Sequence, residues 1–180
     1  MLRIYLLLCC SAFSFTVIAG DDVWLLVDTK ALTIEVKKGQ QTLEVLNDIA
    51  IGQGGAGFKN HRGDNVTPFG SYRIGWVGEQ SSFRKFFGLT YPSTEDAQKA
   101  LEQGVIDRVA YNSIMIAHRY HQVPPQNTAL GGRIGIHGLG RADEKIHKSM
   151  NWTHGCIALT NGQIDHLSQW LGKGTVVKIK

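Results

Sequence analysis

Asn151-Trp152-Thr153-His154-Gly155-Cys156-Ile157-Ala158-Leu159-Thr160-Asn161 is the stretch on which the reading of this chain turns, and Ile136-His137-Gly138 upstream is its complement. A free thiol with a pKa of about 8.5 is only slightly ionised at neutral pH, so a cysteine nucleophile needs an imidazole or a cationic pocket beside it. Cys156 as nucleophile and His137 as general base meet that need. Gly155 carries no side chain and permits a sharp turn, so the amides of Gly155 and Cys156 are expected to face a developing oxyanion.

His137, fifteen intervening residues and then Thr153-His154-Gly155-Cys156 resemble the signature of the YkuD-type L,D-transpeptidase catalytic domain family. Thr67-Pro68-Phe69-Gly70-Ser71-Tyr72 resembles that domain's strand entry, and Asn161, Ile164, Asp165 and Leu167 match its usual tail. The resemblance covers most of residues 23–180. It implies a mainly β, antiparallel and sandwich-like L,D-transpeptidase catalytic fold with a helical insertion, hence α+β. It also implies that a backbone carbonyl, here that of Gly138, orients the His137 imidazole in place of an aspartate. His154, Gly155, Gly138 and Thr153 are then the expected oxyanion or substrate-binding residues.

The implied chemistry is two-step acyl transfer on peptidoglycan stem peptides, in the service of cell wall biogenesis and cell shape. Cys156 attacks the carbonyl between an L-configured centre and a D-residue, forms a thioester and expels an amine. A second stem peptide or an outer-membrane lipoprotein lysine as acceptor makes the enzyme a transpeptidase. Water makes it an L,D-carboxypeptidase, or an amidase that detaches wall-linked protein. Family members often carry arginine two residues after the cysteine, where this chain has Ala158. That variant leaves the thiol chemistry intact and keeps transfer and hydrolysis open. A noncatalytic wall-binding domain is a third reading.

The amino terminus reads as a secretory signal peptide over residues 1–20. Arg3 precedes an apolar run from Ile4 to Ile18, small residues follow at Ala19 and Gly20, and Asp21-Asp22 closes it. The run falls short of the roughly 20 apolar residues of a membrane-spanning helix. Cys9 and Cys10 raise a lipoprotein signal, which the bulky Leu8 and their early position in the run argue against. Processing leaves residues 21–180 as a single periplasmic domain with no integral membrane segment, and Cys156 as its one thiol. A net charge of +4 from 19 basic and 15 acidic residues suits an anionic wall polymer. The basic residues are scattered without interleaved aromatics, which argues against nucleic acid.

Outward from the motif, the first half alternates with a period of two. Val23 to Val27, then Leu32, Ile34 and Val36, then Leu43 and Val45 predict an antiparallel meander, with further strands over Asp48 to Gly52 and Ser71 to Val77. Residues 79–130 read as a helical insertion. One helix starts at Ser93 or Thr94 and stops near Gly104, and a second runs from about Asp107 to Tyr120 with Ile106, Val109, Ala110, Ser113, Ala117 and Tyr120 as its inner face. Arg133 to His137 reads as a strand, Leu139 to Asn151 as a loop, the residues after Thr160 as a short helix, and Thr175 to Lys180 as a closing strand.

Gly52-Gln53-Gly54-Gly55-Ala56-Gly57 satisfies a dinucleotide-binding pattern, but Gly63, Asp64 and Pro68 follow in place of an amphipathic helix. It therefore reads as a turn or cleft border. His118 and His121, or His137, His154 and Cys156, invite a zinc reading, yet no acidic residue completes a recognised motif. No metal and no cofactor are expected, and His147 and His166 read as surface residues.

Overall fold

The computed structural model describes residues 23–180. The signal-peptide reading of residues 1–20, with Cys9 and Cys10, lies outside the described residues. No helix among the described residues is long and apolar enough to cross a membrane.

Strands β1 (Val23–Asp28), β2 (Thr33–Lys38) and β3 (Gln41–Leu46) form the expected meander. Leu25, Val27, Ile34 and Val36 are fully buried while their neighbours face outward, which is the period-two pattern made physical. A short parallel pair follows, β4 (Ala56–Gly57) and β5 (Thr67–Pro68), and then the long β6 (Gly70–Ser81) and β7 (Arg84–Leu89). Helices α1 (Thr94–Glu102) and α2 (Arg108–Arg119) come next. The chain ends with β8 (Gly135–Gly138), α3 (Glu144–Ser149), β9 (Ile157–Leu159), α4 (Asn161–Leu167) and β10 (Val176–Ile179).

The strands form one mixed sheet in the order β3-β2-β1-β10-β6-β7-β8-β9. The fold is mostly β with a few helices, as expected, but the sheet is not wholly antiparallel, because β1 pairs with β10 and β8 with β9 in parallel. β6 joins its two halves: Gly70 to Arg73 pair with β10, and Ile74 to Ser81 pair with β7 across bulges. One core takes Leu25 and Val36 from one half and Ile136 and Leu159 from the other.

Four local expectations are corrected. The helical insertion is confined to α1 and α2, because β6 runs on to Ser81 and β7 fills the next segment. On α2 the inward residues are Ile114 and Ala117, whereas Val109 and Tyr120 are 73% and 66% exposed. Helix α2 meets the core along one narrow stripe, and a step of one residue turns a side chain by about 100°. Asp48 to Gly52 makes only single bridges, Ala50 to Ala158 and Gly52 to Thr153, so it braces the cysteine segment without forming a strand of its own. The loop before Asn151 contains α3, and that helix buries His147 to 3% exposure, so His147 is not a surface residue.

The helices start near the expected residues, and side-chain caps fix each boundary. Ser93 and Asp96 form a capping box on α1, Asp107 caps α2, and Thr160 with Gln163 forms a second capping box on α4. His118 is engaged in the fold, its Nε2 lying 2.7 Å from the Pro92 carbonyl. The glycine-rich segment opens no helix: a Cβ on Gly52 would meet the Asn65 carbonyl oxygen at 2.0 Å. Close packing of two backbones explains glycine there.

Candidate active site

β8 and β9 run in parallel with His137 opposite Ala158, so Cys156, just before β9, lies toward the start of the same strand pair. Both side chains line one cavity of about 1200 Å³. His137 is 2% exposed and Cys156 is partly exposed on the cavity wall.

The His137 ring is fixed from two directions. Its Nδ1 donates to the carbonyl of Gly138 at 2.7 Å. That bond assigns the proton to Nδ1 and leaves Nε2 with a free lone pair, the form a general base requires. Aromatic rings hem in the imidazole, with Phe83 at 4.4 Å, Phe86 at 6.0 Å and Trp152 at 6.1 Å between centroids. Gly138 is itself enclosed, since a Cβ there would meet Ile164 Cγ2 at 2.6 Å and Asn161 Oδ1 at 2.9 Å. Asn161 pins the following turn by bonding both the amide and the carbonyl of Gly140 at 2.8 Å.

Thr153 shapes the cysteine segment from within. Its hydroxyl donates to the Cys156 carbonyl at 2.6 Å and accepts from the Gly155 amide at 3.2 Å. The outer brace completes the hold: the Thr153 amide donates to Ile51 O, and the Gln53 amide donates to Thr153 O. Gly155 sits at φ +119°, and a Cβ there would meet the Val66 carbonyl oxygen at 2.7 Å. Only glycine combines that dihedral with that approach. The Gly155 amide is thus spent on Thr153, which leaves the Cys156 amide as the oxyanion donor to consider from the expected pair. His154 is exposed and borders the cavity from a bend between bridge and strand.

The thiol is not ionised at rest. Burial pushes the Cys156 pKa up to about 11, against the opposing influence of the Gly135 backbone and the Lys59 charge. Burial also holds His137 below its usual range, partly offset by the bond to Gly138. Near neutral pH the pair is therefore thiol and neutral imidazole, and the thiol proton points at the Arg133 carbonyl, 3.4 Å from the sulfur. A thiol in this state becomes a strong nucleophile only on losing its proton.

Several site residues escaped the sequence reading. Trp152 meets the His137 ring in a T-shaped arrangement and donates from Nε1 to His147 Nδ1 at 3.3 Å. Phe83 and Phe86 were hidden because the β6–β7 hairpin was read as helical. Arg133 adopts φ +57°, and its amide donates to Gln126 Oε1 at 2.6 Å. No local signal marks these contacts, since each is made across strands.

A buried histidine and a partly exposed cysteine line one cleft of a mixed β-sheet. The profile of the L,D-transpeptidase catalytic domain, YkuD, matches residues 22–179, and the chain belongs to that family. Among solved structures it is similar to the helical cell shape determining protein Pgp2 from Campylobacter jejuni, at 22% identity and a TM-score of 0.59 over 89% of this chain and 48% of that one. Bd1075 from Bdellovibrio bacteriovorus matches at 17% identity and a TM-score of 0.56, over 89% of this chain and 48% of that one. An L,D-transpeptidase from Xylanimonas cellulosilytica matches at 12% identity and a TM-score of 0.51, over 91% of this chain and 62% of that one. These likenesses establish the shared fold, and the chain spans about half the length of the Pgp2 and Bd1075 chains. A search of curated proteins finds no match.

Proposed function

We propose that the chain is a periplasmic cysteine L,D-transpeptidase acting on peptidoglycan stem peptides through a Cys156 thioester. The observation that carries this reading is the His137 imidazole, held by the Gly138 carbonyl with its free nitrogen available, in the cavity that Cys156 also lines. Membership of the family supports the substrate class.

Cys156 Sγ attacks the carbonyl that precedes the D-residue as its proton passes to His137 Nε2. The Cys156 amide faces the tetrahedral oxyanion, an interaction of a type worth roughly 3 to 4 kcal/mol per donor. Collapse breaks the amide C–N bond, and His137 returns the proton to the departing amine. An acceptor amine then attacks the thioester, loses its proton to His137, and restores the thiol. Thr153 holds the cysteine segment in shape, Gly155 permits its turn, and His154 lies where substrate enters. The signal peptide over residues 1–20 delivers residues 21–180 as one domain to the wall, where a second stem peptide or a lipoprotein lysine serves as acceptor.

Mass spectrometry of defined tetrapeptide and pentapeptide muropeptides, with and without an amine acceptor, tests the reading. The wild type is expected to give a crosslinked product and a mass adduct at Cys156, and Cys156→Ala and His137→Ala neither. Hydrolysed tripeptide alone, with acceptor in excess, would replace transfer by L,D-carboxypeptidase or amidase activity. Binding without turnover in the wild type would leave a noncatalytic wall-binding domain.

A further inference from the structure

The cavity that holds Cys156 does not end at the sulfur. A second cavity of about 600 Å³ adjoins it, and the two share Gln126, Gly132, Arg133, Ile134 and His154 in their walls. Lys59 and Arg62 also border the second cavity, and among the described residues no carboxylate lines either one. The charges there are not equivalent. Lys59 is neutralised by its ion pair with Asp64. Arg62 donates to the carbonyls of Asn127 and Thr128, which fixes the guanidinium while leaving its charge uncompensated. Arg133 is exposed, and no hydrogen bond or ion pair of its guanidinium is seen among the described residues.

The backbone of Arg133 is held firmly. Its carbonyl accepts from the Cys156 thiol, and its amide donates to Gln126, whose Nε2 is anchored on the carbonyls of Tyr91 and Pro124. A non-glycine residue at φ +57° carries backbone strain that the surrounding bonds must hold in place. An unpaired cation is thus tethered beside the nucleophile, at the junction of two cavities lined by no acid among the described residues.

The geometry points to a carboxylate subsite at this junction, in which Arg133, backed by Arg62, binds the free C-terminal carboxylate of the donor peptide. This rests on the proposed stem-peptide reading and deepens it. The carboxylate of the departing D-residue lies one residue from the attacked carbonyl, and a planar guanidinium matches it with two parallel bonds. The anchor sets which peptide end enters and keeps the scissile carbonyl at the sulfur.

The test compares a stem tetrapeptide bearing a free C-terminal carboxylate with the same peptide as its carboxamide. Wild type, Arg133→Gln and Arg133→Lys are assayed for turnover, and binding is read separately by calorimetry in a Cys156→Ala background. Wild type is expected to favour the acid about 10-fold in kcat/KM, a charge-assisted difference of ordinary size. Arg133→Gln should raise KM for the acid about 10-fold, leave the amide unchanged and thus erase the preference, and Arg133→Lys should restore part of it. The same discrimination should appear in the Kd values. Equal losses on acid and amide, or no loss on either, would overturn the subsite. Discrimination in binding without wild-type turnover would sustain it while refuting the transpeptidase reading.

Discussion

The sulfur of Cys156 and the carbonyl oxygen of Arg133 lie 3.4 Å apart, and the thiol donates across that gap. The thiol proton thus rests on a backbone carbonyl two residues before β8. With the thiol pKa pushed up to about 11 and His137 held below its usual range, the resting cysteine–histidine pair is uncharged.

Alkylation by iodoacetamide, which consumes thiolate, should therefore keep rising with pH, about tenfold per unit from about pH 7 to about pH 9. A plateau reached below about pH 7 would mean a resting thiolate–imidazolium pair and would refute the neutral one. In the same protein the acid limb of kcat/KM should fall below the ordinary histidine pKa of 6.5, because the proposed mechanism needs His137 unprotonated.

Acid should destabilise the fold through two histidines. Burial depresses both His137 and His147 from 6.5, so below that value the unfolded chain binds more protons than the folded one. Their contribution is undiminished above 6.5 and is lost as pH falls from there toward the depressed folded values. Thermal melts at about pH 7.5 and about pH 5.5 should show a lower Tm in acid, and a His137→Gln, His147→Gln double variant should lose most of that difference. Equal slopes for the two proteins would contradict the assignment.

Thr153→Val keeps the shape of the side chain but removes both hydroxyl bonds, leaving the Gly155 amide and the Cys156 carbonyl without that partner. A loss of about 1–3 kcal/mol in urea unfolding is expected, with kcat reduced more than KM, since the loop carries the nucleophile. Thr153→Ser should recover most of both. A Val variant with wild-type kcat would remove Thr153 from any positioning role.

Gly155→Ala forces a side chain onto φ +119° and against the Val66 carbonyl. It should destabilise by at least about 1–3 kcal/mol and cut acylation of Cys156 more steeply than Ala substitution at the open Gly162. Chemical denaturation together with active-site mass labelling reads both effects, and parity between the two variants would exclude the packing argument.

Local chemistry determined much of this protein in advance. The period of two in β1 to β3, the cap at Ser93 and the helix starts near Asp107 and after Thr160 were all legible, because each depends on residue types at short or characteristic spacing. What required the tertiary structure was everything decided by a partner distant in sequence. β7 has glycine within it and no clean alternation, because a Cβ at Gly88 would collide with Trp76 from the next strand, so its pattern records a neighbour and not itself. The parallel pairing of β1 with β10 joins the two ends of the domain, and no local preference encodes it. Burial of His147, the carbonyl beneath the Cys156 thiol and the cation at Arg133 arise in the same way, from backbones brought together by a shared apolar core. A side chain's type fixes which chemistry is open to it, and its pKa, orientation and reach are set by what the fold packs around it.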